Sequence, residues 1–351
     1  MSTTKGQRAG LLERLERGHV ICAEGYLFEF ERRGYLQAGA FVPEVVLEHP
    51  DLVAQLHREF VHAGSDVVEA FTYYAHREKM RLIGKEHLLE EINRQALALA
   101  KEVAAESGAL FAGDICNTNV FDPENEESKR TARAMFEEQV GWAAEAGVDY
   151  VIAETFSHAE EARLALEEIK AAGLPAVVTM ALHREPITRD GLTPEDACAL
   201  LEQHGADIVG LNCIRGPRTM LPFLSAIRER VSCAVAALPV PYRTTEDEPT
   251  FQSLHDHECD VIPGGMAFPT ALDRFQCNRY ELAEFAREAD ALGVNYLGIC
   301  CGNSPHLVRS MAEALGRTPP ASRYSADMSK HAYFGDDASL KDFNREFAEK
   351  L

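Results

Sequence analysis

The 351-residue chain carries a formal net charge of −21, with 46% hydrophobic and 26% charged residues. That balance excludes nucleic acid and anionic membrane as partners on electrostatic grounds, and the length is ample for a large core. No apolar run approaches the roughly 18–20 residues that span a bilayer. The first ten residues lack an apolar signal core. Nine cysteines without a signal point to a reducing compartment, the cytoplasm.

In chain order one pattern repeats. Residues 11–17 read as a lead-in helix, 19–23 as a first strand and 24–43 as a long loop. A helix over 50–63 stops at Gly64, a good C-cap. Strands over 66–71, 110–115, 150–155 and 176–180 alternate with helices over 87–107, 126–146 and 158–172. Thr193 and Pro194 offer an N-cap and an N1 proline for a helix to His204. A sixth strand over 207–212, a helix over 219–229, a seventh strand over 234–238, a helix over 278–292 and an eighth strand over 295–301 complete the series. A last helix spans 306–315. Eight apolar strands separated by helices predict a closed (β/α)8 TIM barrel over residues 1–317. Residues 318–351 form a polar C-terminal extension with a helical end. No GxGxxG follows the first strand, which argues against dinucleotide binding.

A barrel keeps its chemistry at the C-terminal ends of its strands. There the sequence places Glu24, Tyr73, Tyr74, Asp114, Asn117, Glu154, Asn212, Cys213, Cys300 and Cys301. Adjacent cysteines diverge along a strand and rarely bridge, but both reach a metal where the strand end bends. A soft ion such as zinc needs a third protein ligand to leave one open position. Cys213, at the end of strand six, is the natural third thiolate, and Cys22 and Cys116 are its rivals. Spacing alone weighs this site evenly against buried free thiols, which are common.

The stretch GICCGNSPHLVRSMAEAL, with VGLNC about ninety residues upstream, resembles the zinc-dependent homocysteine S-methyltransferase family, and within it the betaine-using branch. ERRGYLQAG, FTYYA and VDYVIAETFSHAEEA extend the similarity through nearly the whole barrel. The resemblance implies Zn2+ held by Cys213, Cys300 and Cys301, methyl transfer from a small onium donor to L-homocysteine, and a homo-oligomer in which the extension takes part. It also implies that Glu24, Gly25 and Glu154 bind homocysteine. Aromatic faces hold quaternary ammonium groups, so Phe41, Tyr73, Tyr74 and Tyr26 are the donor candidates, each weighed against ordinary packing.

Departures bear on the donor. The family's Asp-Gly-Gly after the first strand is Glu24-Gly25-Tyr26 here, its tryptophan is Phe41, and its tyrosine after the strand-four glutamate is Thr155. These changes leave homocysteine as acceptor but open the donor to sulfonium compounds such as dimethylsulfoniopropionate or S-methylmethionine. The segment 241–274 is a further place where donor choice is set. His57 and His62 read as packing or surface residues. His255, His257 and Cys259 resemble a second metal cluster inside a long connection. Two readings of another class remain: a vicinal-dithiol redox protein using Cys300 and Cys301, and a catalytically silent onium sensor.

Overall fold

The apolar segments Val67-Val68, Val177-Val178 and Ile208-Val209 are buried along their whole length, the mark of strands covered on both faces. In the computed structural model, which describes residues 9–351, they belong to one closed sheet. Its strands are β1 (Val20–Ala23), β2 (Val67–Glu69), β3 (Leu110–Cys116), β4 (Tyr150–Phe156), β5 (Ala176–Met180), β6 (Ile208–Asn212), β7 (Ala234–Leu238) and β8 (Tyr296–Ile299). Neighbours pair in parallel in chain order and β1 closes on β8, so the architecture is the expected (β/α)8 barrel. The reading of the extreme N-terminus falls largely on residues 1–8, outside the described residues.

Register sets which strand ends share a level. Ala23 lies opposite Ile299, Cys116 opposite Glu154 and Asn212 opposite Leu238. The residues that follow Ala23, Ile299 and Asn212 therefore emerge at one mouth. Inside the barrel, Cys22, Leu110, Tyr150, Ile152, Val177, Ile208, Leu238 and Tyr296 interlock as one apolar cluster. The Tyr150 and Tyr296 hydroxyls bond each other at 2.9 Å. The opening helix α1 (Leu11–Arg17) adds Leu11 and Leu15 to that cluster.

The remaining helices of the barrel are α2 (Tyr26–Arg32), α3 (Val45–Glu48), α4 (Pro50–Ala63), α5 (Arg77–Leu82), α6 (Leu89–Ser107), α7 (Glu126–Ala146), α8 (Ala159–Ala171), α9 (Pro194–Gln203), α10 (Pro217–Arg230), α11 (Arg279–Ala291) and α12 (Pro305–Ala314). Their boundaries follow local chemistry. Asn125 caps α7 by accepting from the Glu127 and Ser128 amides, and Thr193 caps α9 ahead of Pro194. Gly64 ends α4 with φ of 116°.

Two expectations need correction. The loop assigned to 24–43 contains α2, whose Tyr26, Leu27, Phe28 and Phe30 are all buried. Neighbours wall in this helix on most sides, so it lacks the half-polar periodicity that marks a surface helix. The short α5 was also not anticipated. The segment 241–274 forms 3₁₀ turns at Phe251–Ser253, Pro263–Gly265 and Asp273–Phe275. Beyond the barrel, the tail forms further turns and α13 (Asp342–Ala348), with Tyr324, Phe343 and Leu351 exposed. No helix among the described residues is long and apolar enough to cross a membrane.

Candidate metal centre and substrate cavity

Cys213 follows β6, and Cys300 and Cys301 follow β8. Their backbones are tied across the sheet: the Cys213 amide donates to Leu238 O at 2.9 Å and the Cys300 amide to Pro239 O at 3.0 Å. The three sulfurs lie within 4.8 Å of one another and all three residues are buried. Cys300 Sγ and Cys301 Sγ are 3.9 Å apart. Tetrahedral zinc–thiolate bonds of about 2.3 Å separate sulfurs by about 3.8 Å, so the donor set fits a zinc ion in chemistry and spacing.

The rivals are engaged elsewhere. Cys22 groups with Glu24 and Glu69, and Cys116 Sγ accepts the Tyr74 amide at 3.3 Å. The Cys213 thiol is held well below its usual value by hydrogen bonds from the Cys300 and Cys301 thiols. His255, His257 and Cys259 form no cluster of metal-ligating geometry among the described residues. His255 Nδ1 instead lies 2.7 Å from Ser253 O. His57 is buried against the Tyr26 ring, centroids 5.0 Å apart.

Gly25 makes the close approach of β1 to the cysteine pair workable. Its φ is 81°, and a Cβ there would lie 2.2 Å from Cys300 O. Only glycine meets both demands.

Beside the sulfurs lies a set of buried carboxylates. Glu24, Glu69, Asp114 and Glu154 are all under 5% exposed. Burial, reinforced by mutual repulsion, pushes Glu24, Glu69 and Asp114 well above the usual carboxylate range. Glu154 rises to about 8, first through burial and then through the Cys213 charge. Glu24 Oε1, both Glu69 oxygens and Asp114 Oδ1 have no hydrogen-bond partner among the described residues. Asn212 organises the rest. Its Oδ1 accepts the Thr155 amide and the Thr179 hydroxyl, each at 2.9 Å. Its Nδ2 donates to Thr155 Oγ1 at 2.9 Å, Glu24 Oε2 at 3.4 Å and the Glu154 carboxylate. Such a group of acids, with no arginine or lysine paired to it among the described residues, can receive a positively charged group.

Sequence reasoning missed Glu69 and left Asp114 as a bare strand-end candidate. The available signal was a carboxylate set inside the otherwise apolar run Val67-Val68-Glu69-Ala70-Phe71.

Above the sulfurs opens a cavity of 370 Å³ lined by Phe41, Tyr73, Tyr74 and Thr155 together with Cys213 and Cys301. The described residues include six non-glycine positions of positive φ: Phe41, Tyr74, Asn119, Thr155, Cys213 and Ile214. All six line this cavity, and each costs about 1–3 kcal/mol, strain that concentrates at functional sites. Phe41 stacks on Phe28 with centroids 5.6 Å apart. Tyr73 and Tyr74 meet at 4.3 Å, and Lys79 Nζ sits 3.9 Å over the Tyr74 ring. Tyr26 does not line this cavity, whereas Tyr73 lines both it and the next. Tyr26 points to a smaller cavity shared with Glu69, Asp114 and Glu154 and packs on Phe60 and Phe71.

Residues 25–315 match the family described as homocysteine S-methyltransferase. An S-methylmethionine–homocysteine S-methyltransferase of Pongo abelii is 38% identical over 94% of this chain and 87% of its own length. A betaine–homocysteine S-methyltransferase of Danio rerio is 36% identical over 95% of this chain and 82% of its own. In fold, the chain is similar to the metallated form of the Escherichia coli homocysteine methyltransferase MmuM. The TM-score is 0.66 at 18% identity, over 86% of this chain and 98% of that one.

Proposed function

This chain belongs to the homocysteine S-methyltransferase family, and from that premise we propose that it moves a methyl group from a small onium donor to the sulfur of L-homocysteine, forming methionine, with Cys213, Cys300 and Cys301 as the residues that hold zinc. One observation carries the reading: three buried sulfurs cluster, two of them, Cys213 and Cys301, line an aromatic-walled cavity, and unpartnered carboxylates lie beside the cluster. Zinc, when bound, supplies the Lewis acidity that keeps the acceptor sulfur a thiolate at neutral pH.

The chain's own residues do the rest. Glu24 and Glu154, with Glu69 and Asp114 behind them, receive the homocysteine ammonium, and its charge relieves their repulsion. Gly25 lets the backbone approach that substrate. Asn212 orients Glu154 through its amide. Phe41, Tyr73, Tyr74 and Thr155 surround the donor's cationic head, and the donor leaves neutral, so the pocket needs no proton donor for it. The main task is alignment of sulfur, methyl carbon and leaving atom.

Glycine betaine meets a weaker cage here, because phenyl at Phe41 holds a cation less well than indole. Sulfonium compounds therefore stand beside it among the donors to be compared. Cys300 and Cys301 are unbridged, and a redox pair would need neither Cys213 nor the acids. Nine free cysteines suit a cytoplasmic enzyme. The exposed aromatic residues of the tail suit a contact between copies of the chain. The test is methionine formation from homocysteine across a panel of onium donors, with zinc measured on the purified protein. No methionine with any donor would overturn the reading.

A further inference from the structure

The methyl-transfer reading uses the floor of the cavity and leaves its rim unexplained. Among the described residues lining the cavity, Arg189 is the sole arginine or lysine. It lies on the loop between β5 and α9, and that loop is anchored on both sides of it. Thr188 exchanges bonds with Leu192, amide to carbonyl and amide to hydroxyl, both at 2.9 Å. The Asp190 carboxylate accepts the Ala159 and Glu160 amides at 3.1 and 2.9 Å, at the start of α8. The Arg189 amide itself donates to Ser157 O at 2.7 Å. Buried Arg215 holds the start of the loop through Leu182 O at 3.2 Å and His183 O at 2.6 Å. The Arg189 side chain nevertheless stays exposed and forms no ion pair among the described residues.

Glu161, on α8, lines the same cavity and is 3% exposed. Its Oε1 takes the Thr118 amide at 2.8 Å and the Thr118 hydroxyl at 2.7 Å. Its Oε2 accepts no hydrogen bond among the described residues. Arg189 is close enough to act on the Glu161 carboxyl, pulling against the upward push of burial, yet the two form no ion pair. The two histidines lining this rim, His158 and His183, are both lowered by burial first. They are neutral at pH 7 and supply hydrogen bonds, not charge.

We propose that Arg189 and Glu161 form a subsite at the rim that reads an α-amino-acid head on the methyl donor, guanidinium to carboxylate and Glu161 Oε2 to ammonium. The donor is then an onium amino acid whose methylated end lies over the sulfurs. The assignment rests on the methyl-transfer reading above. Its physical basis is charge matching. A chain of net charge −21 draws in cations unaided but repels a carboxylate. The anionic end of a zwitterionic donor therefore needs a held cation, and a guanidinium matches a carboxylate bidentately.

Three donors separate the parts. S-Methylmethionine carries both head charges, dimethylsulfoniopropionate carries the carboxylate alone, and trimethylsulfonium carries neither. With homocysteine saturating, wild-type protein should rank them in that order by kcat/KM. Arg189→Gln should lower kcat/KM for the two carboxylate donors, relative to trimethylsulfonium, by about tenfold or more, with Arg189→Lys recovering part of the loss. Glu161→Gln should lower the S-methylmethionine to dimethylsulfoniopropionate ratio alone. Equal losses on all three donors, or none, overturn the subsite, as does wild-type preference for a donor without the ammonium. Because Arg189 is exposed, its variants keep the test open even where Glu161→Gln folds poorly. Wild-type protein that makes methionine from none of the three overturns the methyl-transfer reading itself, a distinct result.

Discussion

Asn212 Oδ1 accepts the backbone amide of Thr155 at 2.9 Å, and Thr155 stands in a left-handed conformation with φ of 62°. One side chain from β6 thus stabilises a strained residue at the end of β4, beside the glutamate that faces the sulfurs. Replacing Asn212 by Ala strands the Thr155 amide, the Thr179 hydroxyl and the Glu154 carboxylate. It should cost about 1–3 kcal/mol of stability and raise the KM for homocysteine more than that for the donor. Chemical denaturation and acceptor kinetics check this, and unchanged homocysteine kinetics would reject the orienting role.

Cys213→Ser, Cys300→Ser and Cys301→Ser should each reduce bound zinc sharply and abolish methyl transfer, because three protein ligands are the minimum for such a catalytic site. Metal analysis of the purified variants is the direct measurement. A fully active Cys213→Ser protein would remove the site as described.

Gly25→Ala should damage the same centre without touching a ligand. The added Cβ falls 2.2 Å from Cys300 O, so either β1 or the cysteine pair must shift, and the left-handed φ adds strain. Loss of zinc affinity in a folded protein is the expected outcome. Wild-type zinc content and activity would show that the close approach is dispensable.

The donor cage is tested by restoring the family's aromatic residues. Phe41→Trp with Thr155→Tyr should raise kcat/KM for glycine betaine about five- to thirtyfold, since about 1–2 kcal/mol of cation–π contact returns. Glycine betaine as the best donor of the unaltered protein, with no gain in the double variant, contradicts this cage.

His57 links stability to pH. Burial lowers its imidazole from 6.5 to about 3, and neither ring nitrogen has a hydrogen-bond partner among the described residues. The unfolded chain binds the proton first, so stability is full above pH 6.5 and falls as pH drops from there toward about 3. The slope in that window is about 1.4 kcal/mol per pH unit for this group. His57→Phe should flatten the acid side of a Tm–pH curve, and parallel curves for the two proteins would exclude the linkage.

Much of this architecture was legible in local patterns. The apolar strand segments, Gly64 after α4, Gly147 after α7 and the Thr193-Pro194 pair before α9 each act within a few residues, so the chain order of strands and helices follows from them. The cysteine pair after β8 and Cys213 after β6 were readable as candidates because a closed barrel sends all its strand ends to one mouth, and the family resemblance set them above Cys22 and Cys116. Side-chain direction and distant neighbours were not readable. Tyr26 turns toward His57 and Phe60 because α2 starts from a left-handed Gly25. Lys79 covers a face of Tyr74. Glu69 and Asp114 join Glu154, and Arg189 shares a rim with Glu161, only once the sheet has closed and the loops are pinned. Sequence period encodes which face of an element is buried. Which buried charges meet depends on register and barrel closure, and those are properties of the assembled fold.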